Sequence, residues 1–182
     1  MARFDWLAHC YDIIHKPPMD EIFAVAKPRN TDHVLDIGGG TGVVAAKMQT
    51  LVREVCILDP SAKMLAKAKA RKVKTFLGSA EEMPFAAKTF DLILCTDAFH
   101  HVENKEQALL EMRRVLKPTG RIVFEEYNPA TFGGRLIVFI EWLMRFHSKF
   151  YTPYKLAKLL NQHGFKTTIR DHNRSYLVKA TL

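Results

Sequence analysis

Residues 34–42 read VLDIGGGTG. A short apolar run carries Asp36, and glycine then fills Gly38, Gly39, Gly40 and Gly42. Glycine loses more backbone freedom on folding than any other residue, so such a cluster needs a reason. A loop whose backbone must come very close to a bound molecule is one. Open α/β sheets bind ligands in this kind of loop, beyond the carboxyl ends of their strands. The dinucleotide fingerprint G-x-G-x-x-G does not fit: counting from Gly38, the third position is Val43. What stands instead is Asp36-x-Gly38-x-Gly40-x-Gly42, with an acid two residues ahead of the first glycine.

Working outward, apolar β-branched runs alternate with helical patterns. Strands are expected at 33–38, 54–58, 73–77, 91–96 and 121–127. Helices are expected at 43–52, at 61–72 behind an Asp-Pro-Ser start, and at 104–116, where Ala108, Leu109, Met112, Val115 and Leu116 share one side. Lys117-Pro118-Thr119-Gly120 stops that helix. Strand–helix alternation means parallel pairing with right-handed crossovers. After Asn128 the pattern changes to a long, mostly apolar helix over 132–150, then a helix from Thr152-Pro153 to Gly164. FKTTIR and SYLVKAT, separated by a polar turn, form a terminal hairpin. The expected fold is α/β: a Rossmann-like, seven-stranded, mostly parallel sheet with an antiparallel last strand and helices on both faces. We expect a single domain over 1–182, with a helical cap at 1–30, broken at Pro17-Pro18, and a helical segment at 128–163.

The bulk numbers agree with one globular domain. The chain has 182 residues, 48% hydrophobic and 25% charged. No apolar run reaches the ~18 residues needed to span a bilayer. The start, MARFDWLAHCYD, has no apolar signal core, so a cytoplasmic location is expected. Cys10, Cys56 and Cys95 are scattered, which argues against a disulfide framework, and no metal-ligand spacing is evident. The net charge is +8, and from Arg145 onward eight basic residues face one acid, Asp171. Such an end attracts anions, although a solvated basic face is the simpler reading.

The chemistry of the glycine loop points away from phosphate. A helix N-terminus welcomes an anion, and an acid beside it works against one. A ligand carrying an ammonium would favour Asp36. Asp59 closes the second strand, and a carboxylate there can accept from both hydroxyls of a ribose. Ribose, ammonium and sulfonium together describe S-adenosylmethionine. At this point the sequence resembles the class I S-adenosylmethionine-dependent methyltransferases of the type 11 group. VLDIGGGTG, LDPS, GSAEEMPFAAKTFDLILCTDAFHHV, LKPTGRIVFEEYNP and LLNQHGF come in that family's order, over roughly residues 4 to 180.

The resemblance implies a role for each residue. Gly38, Gly40 and Gly42 let the backbone approach the cofactor, and Asp36 faces its methionine end. Asp59 holds the ribose, with Pro60 and Met64 near the adenine. Ala80 offers its backbone N–H to the adenine ring, and Ser79 stands where the family often has an aspartate. Thr96 and Asp97 end the fourth strand beside the methionine portion, and Tyr11 resembles an aromatic lying over the cofactor.

Methyl transfer from a sulfonium is an in-line displacement with a good leaving group, so the protein chiefly aligns the nucleophile and excludes water. Where the acceptor must lose a proton, His100 and His101 are the candidate catalytic bases; packing and capping are their plainer roles. Glu125 and Tyr127 are further acceptor-pocket candidates. Base-amine methyltransferases carry an Asn/Asp-Pro-Pro-Tyr/Phe motif, which Cys95-Thr96-Asp97-Ala98-Phe99 lacks. The apolar stretch after Phe132, with Glu141 and Arg145 at i,i+4 spacing, is either a helix packed on the sheet or a wall for a lipophilic, quinone-like small acceptor, with peripheral membrane contact. The expected function is methyl transfer to such an acceptor. Its rival is a non-catalytic S-adenosylmethionine-binding protein, or an RNA-directed methyltransferase using the basic C-terminal face; nucleic acid is the less favoured partner.

Overall fold

The computed structural model describes residues 16–144 and 148–182. Seven strands form one sheet in the order β3-β2-β1-β4-β5-β7-β6. They are β1 (His33–Ile37), β2 (Glu54–Asp59), β3 (Lys74–Leu77), β4 (Phe90–Thr96), β5 (Leu116–Tyr127), β6 (Lys166–His172) and β7 (Ser175–Thr181). β1 pairs in parallel with both β2 and β4, β2 with β3, and β4 with β5. β7 runs antiparallel between β5 and β6. The chain therefore winds outward from β1 in one direction and then, from β4, in the other. The switch point lies between β1 and β4, where such sheets bind ligands.

The helices are α1 (Met19–Ala26), α2 (Val43–Met48), α3 (Ala62–Ala70), α4 (Lys105–Val115), α5 (Phe132–Leu143) and α6 (Pro153–Gln162). Two apolar clusters fill the two sides of the sheet. Leu35, Ile93 and Phe124 meet α4 and α6 through Leu109, Met112, Leu156 and Leu160. Val34, Leu94 and Val123 meet α1, α2 and α3 through Ile22, Met48 and Leu65. Strand alternation explains the division, because neighbours along a central strand point to opposite faces.

Two elements depart from the sequence reading. Lys117–Gly120 does not stand outside the sheet: β5 starts at Leu116, opposite Phe90, and the pairing resumes with Leu92 opposite Arg121. Extra residues on one strand make a bulge, and the Pro118 lacking an N–H sits where no ladder bond is required. The helix expected over 132–150 ends at Leu143, and only Gly134 of it is buried. It does not pack on the sheet. Arg121 ties α1 to β5: its Nε donates to the Ala26 carbonyl at 2.5 Å and its Nη2 to Lys27 O and Asp32 Oδ2, each at 2.7 Å.

Candidate active site

The carboxyl ends of β1, β2 and β4 converge on the glycine loop. Asp36, in β1, is wholly buried, and neither of its carboxylate oxygens has a hydrogen-bond partner among the described residues. Burial, and then the charge of Asp59, push its pKa up to about 8. Gly39 lies directly over it, since a Cβ there would come within 2.7 Å of Asp36 Oδ2. Gly38 and Gly40 have φ of +67° and +54°, in the left-handed region that side chains resist. A Cβ on Gly38 would also meet Ala98 Cβ at 2.5 Å, so this glycine lets the loop close against the segment that follows β4. Gly42 has a different surrounding: its Cβ would press on Ala68 and Ile57, so it also serves the packing of α3 against β2.

Asp59, at the tip of β2, holds this loop in place. Its Oδ2 accepts from the Gly40 N–H at 3.0 Å and its Oδ1 from the Ser61 N–H at 2.8 Å. These two backbone bonds fix the orientation of the carboxylate at the strand tip. Ser61 caps α3 by accepting from the Met64 N–H. Pro60 is exposed and Met64 is buried. Past β3, Ser79 is exposed and Ala80 buried. Thr96 is buried at the end of β4, and Asp97 turns the chain with φ of +50°, its N–H donating to Glu125 O. The structure thus gathers Asp36, Gly38, Gly40, Gly42, Asp59 and Thr96 around the switch point. Tyr11 lies outside the described residues.

An unpartnered carboxylate buried beneath a glycine loop fits a ligand that brings a positive charge, and opposes one that brings phosphate. The residues present therefore suit an ammonium- and sulfonium-bearing nucleoside.

The histidine pair occupies a short turn, Phe99–His101, next to Ala98. Its environment was not visible in the sequence. His100 is buried, with Nδ1 2.5 Å from Glu126 Oε2, and Glu126 Oε1 also accepts from the Phe99 N–H. Glu141 of α5 approaches from the other side, 3.4 Å from His100 Nε2 and 3.9 Å from His101 Nε2. Burial opposes charge on His100, yet the carboxylates of Glu126, Glu141 and Asp97 outweigh it and raise its pKa well above 6.5. A ring held in its charged form takes up no further proton. His101 is more open, with Nδ1 2.9 Å from Ser148 Oγ. Phe150 stacks on His100 at a centroid distance of 4.3 Å. Glu125 is buried, and burial raises the pKa of the half-buried Tyr127. Cys56 and Cys95 are buried thiols with raised pKa values, remote from any nucleophilic role.

Comparison with known proteins agrees with this architecture. The methyltransferase-domain family of type 11 matches residues 35–124. The chain is 33% identical over 153 residues to the ubiquinone/menaquinone biosynthesis C-methyltransferase UbiE of Rubrivivax gelatinosus, covering 82% of this chain and 57% of that protein. It is 28% identical to the demethylmenaquinone methyltransferase of Thermotoga maritima, covering 92% of this chain and 88% of that one. The chain therefore spans little more than half the length of the UbiE protein it matches. In three dimensions, a solved S-adenosylmethionine-dependent methyltransferase of Thermotoga maritima superposes with a TM-score of 0.83 at 20% identity, over 98% of this chain and 97% of that one, which establishes the fold. Fold, loop and strand-tip acid define the class I methyltransferase architecture. Within that architecture, the match to the type 11 methyltransferase domain runs from β1 into β5, the part of the chain that carries the glycine loop and the strand-tip acid.

Proposed function

We propose that this protein is an S-adenosylmethionine-dependent methyltransferase acting on a small, lipophilic acceptor of the quinone type. The observation that carries the reading is Asp36, a buried carboxylate under the glycine loop with no hydrogen-bond partner among the described residues, with Asp59 fixed beside it by the Gly40 and Ser61 N–H groups. The cofactor, when bound, supplies a methyl group already activated by a sulfonium. Asp36 draws its cationic methionine end toward the switch point, and the loop of Gly38, Gly40 and Gly42 allows the close approach. Asp59 takes the ribose hydroxyls. Pro60 and Met64 flank the adenine, while the Ala80 N–H and Ser79 hydroxyl meet its edge. Thr96 completes the enclosure on the β4 side, and the family resemblance alone adds Tyr11.

The acceptor enters from the α5 side, within the segment 128–163. Phe132, Leu136, Phe139, Ile140, Trp142 and Leu143 are all exposed, the first of them 89% and Trp142 71%. An apolar face of this kind suits a greasy substrate or the membrane that contains it, with exposed Arg135 and Lys149 placed for lipid headgroups. The relatives are named as a ubiquinone/menaquinone biosynthesis C-methyltransferase and a demethylmenaquinone methyltransferase, which supports a quinone-type acceptor. His100 and His101 stand on the acceptor side. Because His100 is charged by its carboxylates, His101 is the better base where the acceptor must lose a proton.

The basic C-terminal face gives the RNA-directed reading little support. Stacking on bases requires exposed aromatics. Phe165 and Tyr176 belong to the core, and Tyr151 is half-buried, its carbonyl accepting from the Tyr176 hydroxyl. Tyr154 is exposed. The deciding test supplies S-adenosylmethionine with a labelled methyl group and separate acceptors: a reduced demethylated naphthoquinone, simple phenols, fatty acids and tRNA. Label is expected in the reduced quinone. Label in tRNA alone, or tight cofactor binding with no label anywhere, would overturn the proposal.

A further inference from the structure

Among the described residues, His100, His101 and Glu141 bring one nitrogen or oxygen donor each to within 4.8 Å of one another. We propose that His100 Nε2, His101 Nε2 and a Glu141 carboxylate oxygen bind one divalent transition-metal ion, of the zinc, cobalt or nickel kind, beside the glycine loop. A tetrahedral ion with bonds of about 2.0 to 2.1 Å spaces its ligands about 3.4 Å apart. The separation of His100 Nε2 and Glu141 Oε1 is 3.4 Å, and that of His101 Nε2 and the same oxygen is 3.9 Å. The three donors lie within 4.8 Å of one another, and binding an ion would draw them together.

Two further observations point to a ligand. His100 Nε2 and Glu141 Oε2 are buried and make no hydrogen bond with any described residue. Both rings are anchored through their other nitrogen, His100 Nδ1 by the Glu126 carboxylate and His101 Nδ1 by the Ser148 hydroxyl. Partners of this kind fix ring orientation and tautomer in metal sites, and an ion bound at His100 Nε2 would displace the proton that the surrounding carboxylates hold on that ring. Two imidazoles and a carboxylate select a borderline transition metal over magnesium or calcium, which take all-oxygen sets. Three protein ligands leave a fourth position for water or substrate oxygen. Ala98, which closes on Gly38, ties the turn carrying both histidines to the glycine loop.

The site stands without the methyl-transfer reading, but it would revise the role of His101, because a metal-bound imidazole accepts no proton. A hydroxyl placed in the fourth position would be acidified by the ion instead. The test strips the full chain with chelator and titrates it with zinc by calorimetry, then replaces zinc with cobalt(II) as a spectroscopic probe. We expect one ion per chain and visible ligand-field bands from cobalt. His101→Ala and Glu141→Ala should each weaken zinc binding about a hundredfold or more, and Glu126→Gln, which removes no ligand but alters the anchoring of His100 and of the Phe99 N–H, by about ten- to a hundredfold. His172→Ala, whose ring lies 3.5 Å from Glu21, should change nothing. S-Adenosylmethionine binding is titrated in parallel. No zinc binding at micromolar concentration, or equal binding in all variants, overturns the metal site and leaves an ion-pair cluster around His100. Zinc binding without cofactor binding would leave the site and remove the functional proposal instead.

Discussion

Asp36 makes a pH-dependent prediction with a definite sign. Its folded pKa is raised from 3.8 to about 8, mainly by burial. For an acid shifted upward, the associated stability is complete below the unfolded value and is lost as the pH rises through the folded one. The unliganded protein should therefore lose stability between about pH 4 and pH 8 from this group, and Asp36→Asn should flatten that slope in denaturant titrations. A cationic ligand favours the ionised carboxylate. Cofactor binding near pH 7 should release close to one proton, seen by calorimetry in buffers of different ionisation heat. Asp36→Asn should abolish that release and weaken binding about 10- to 100-fold, the size of a lost charge-assisted interaction. Gly38→Ala faces φ of +67° and the Ala98 methyl at 2.5 Å. It should cost about 1 to 3 kcal/mol of stability in thermal or urea unfolding and remove cofactor binding with it. At this scale Asp36, Asp59 and the glycines were legible because their types and spacing are local. The orphaned state of Asp36, the packing duty of Gly42 and the approach of Glu141 to the histidines were not, since each depends on residues distant in the chain.

At the scale of elements, α5 is where sequence and structure differ most. Its run of apolar residues reads either as a helix packed on the sheet or as a wall for a greasy acceptor, and with only Gly134 buried the first of these is not what forms. Hydrophobicity reports a preference to leave water without naming what will cover it. Glu141 shows the same gap: its spacing from Arg145 suggests a surface pair, whereas its side chain turns toward His100 and His101. Arg145 itself lies outside the described residues. Trp142→Gln and Leu143→Gln should leave the melting temperature nearly unchanged, because both side chains are already in water. They should raise KM for a lipophilic acceptor and reduce retention on anionic vesicles in flotation assays. A fall in stability with unaltered KM would mean that α5 is a structural cover. The hairpin of β6 and β7, by contrast, was readable from two β-rich runs across a short polar turn, and its antiparallel pairing with β5 follows. Lys117–Gly120 follows the end of α4 as expected and also forms the irregular start of β5, because Pro and Gly mark bulges as well as turns.

Across the whole molecule, the site depends on a sheet whose parallel strands place Asp36, Asp59 and Thr96 at one end. That topology was legible from the alternation of periods, and the switch point between β1 and β4 follows from it. The opposite end of β1 is secured by Arg121, which gathers the Ala26 and Lys27 carbonyls and the buried Asp32. Arg121→Leu would strand Asp32 in the interior. It should cost about 3 to 5 kcal/mol in urea unfolding, the usual penalty for breaking a buried pair on one side. The most direct measurement for the whole reading is calorimetric titration of the full chain with S-adenosylmethionine, with ATP and NAD as competitors. One-to-one binding of S-adenosylmethionine, undisturbed by either phosphate ligand and lost in Asp59→Ala, is the predicted result. No binding, or tighter binding of ATP or NAD at the same loop, would contradict it.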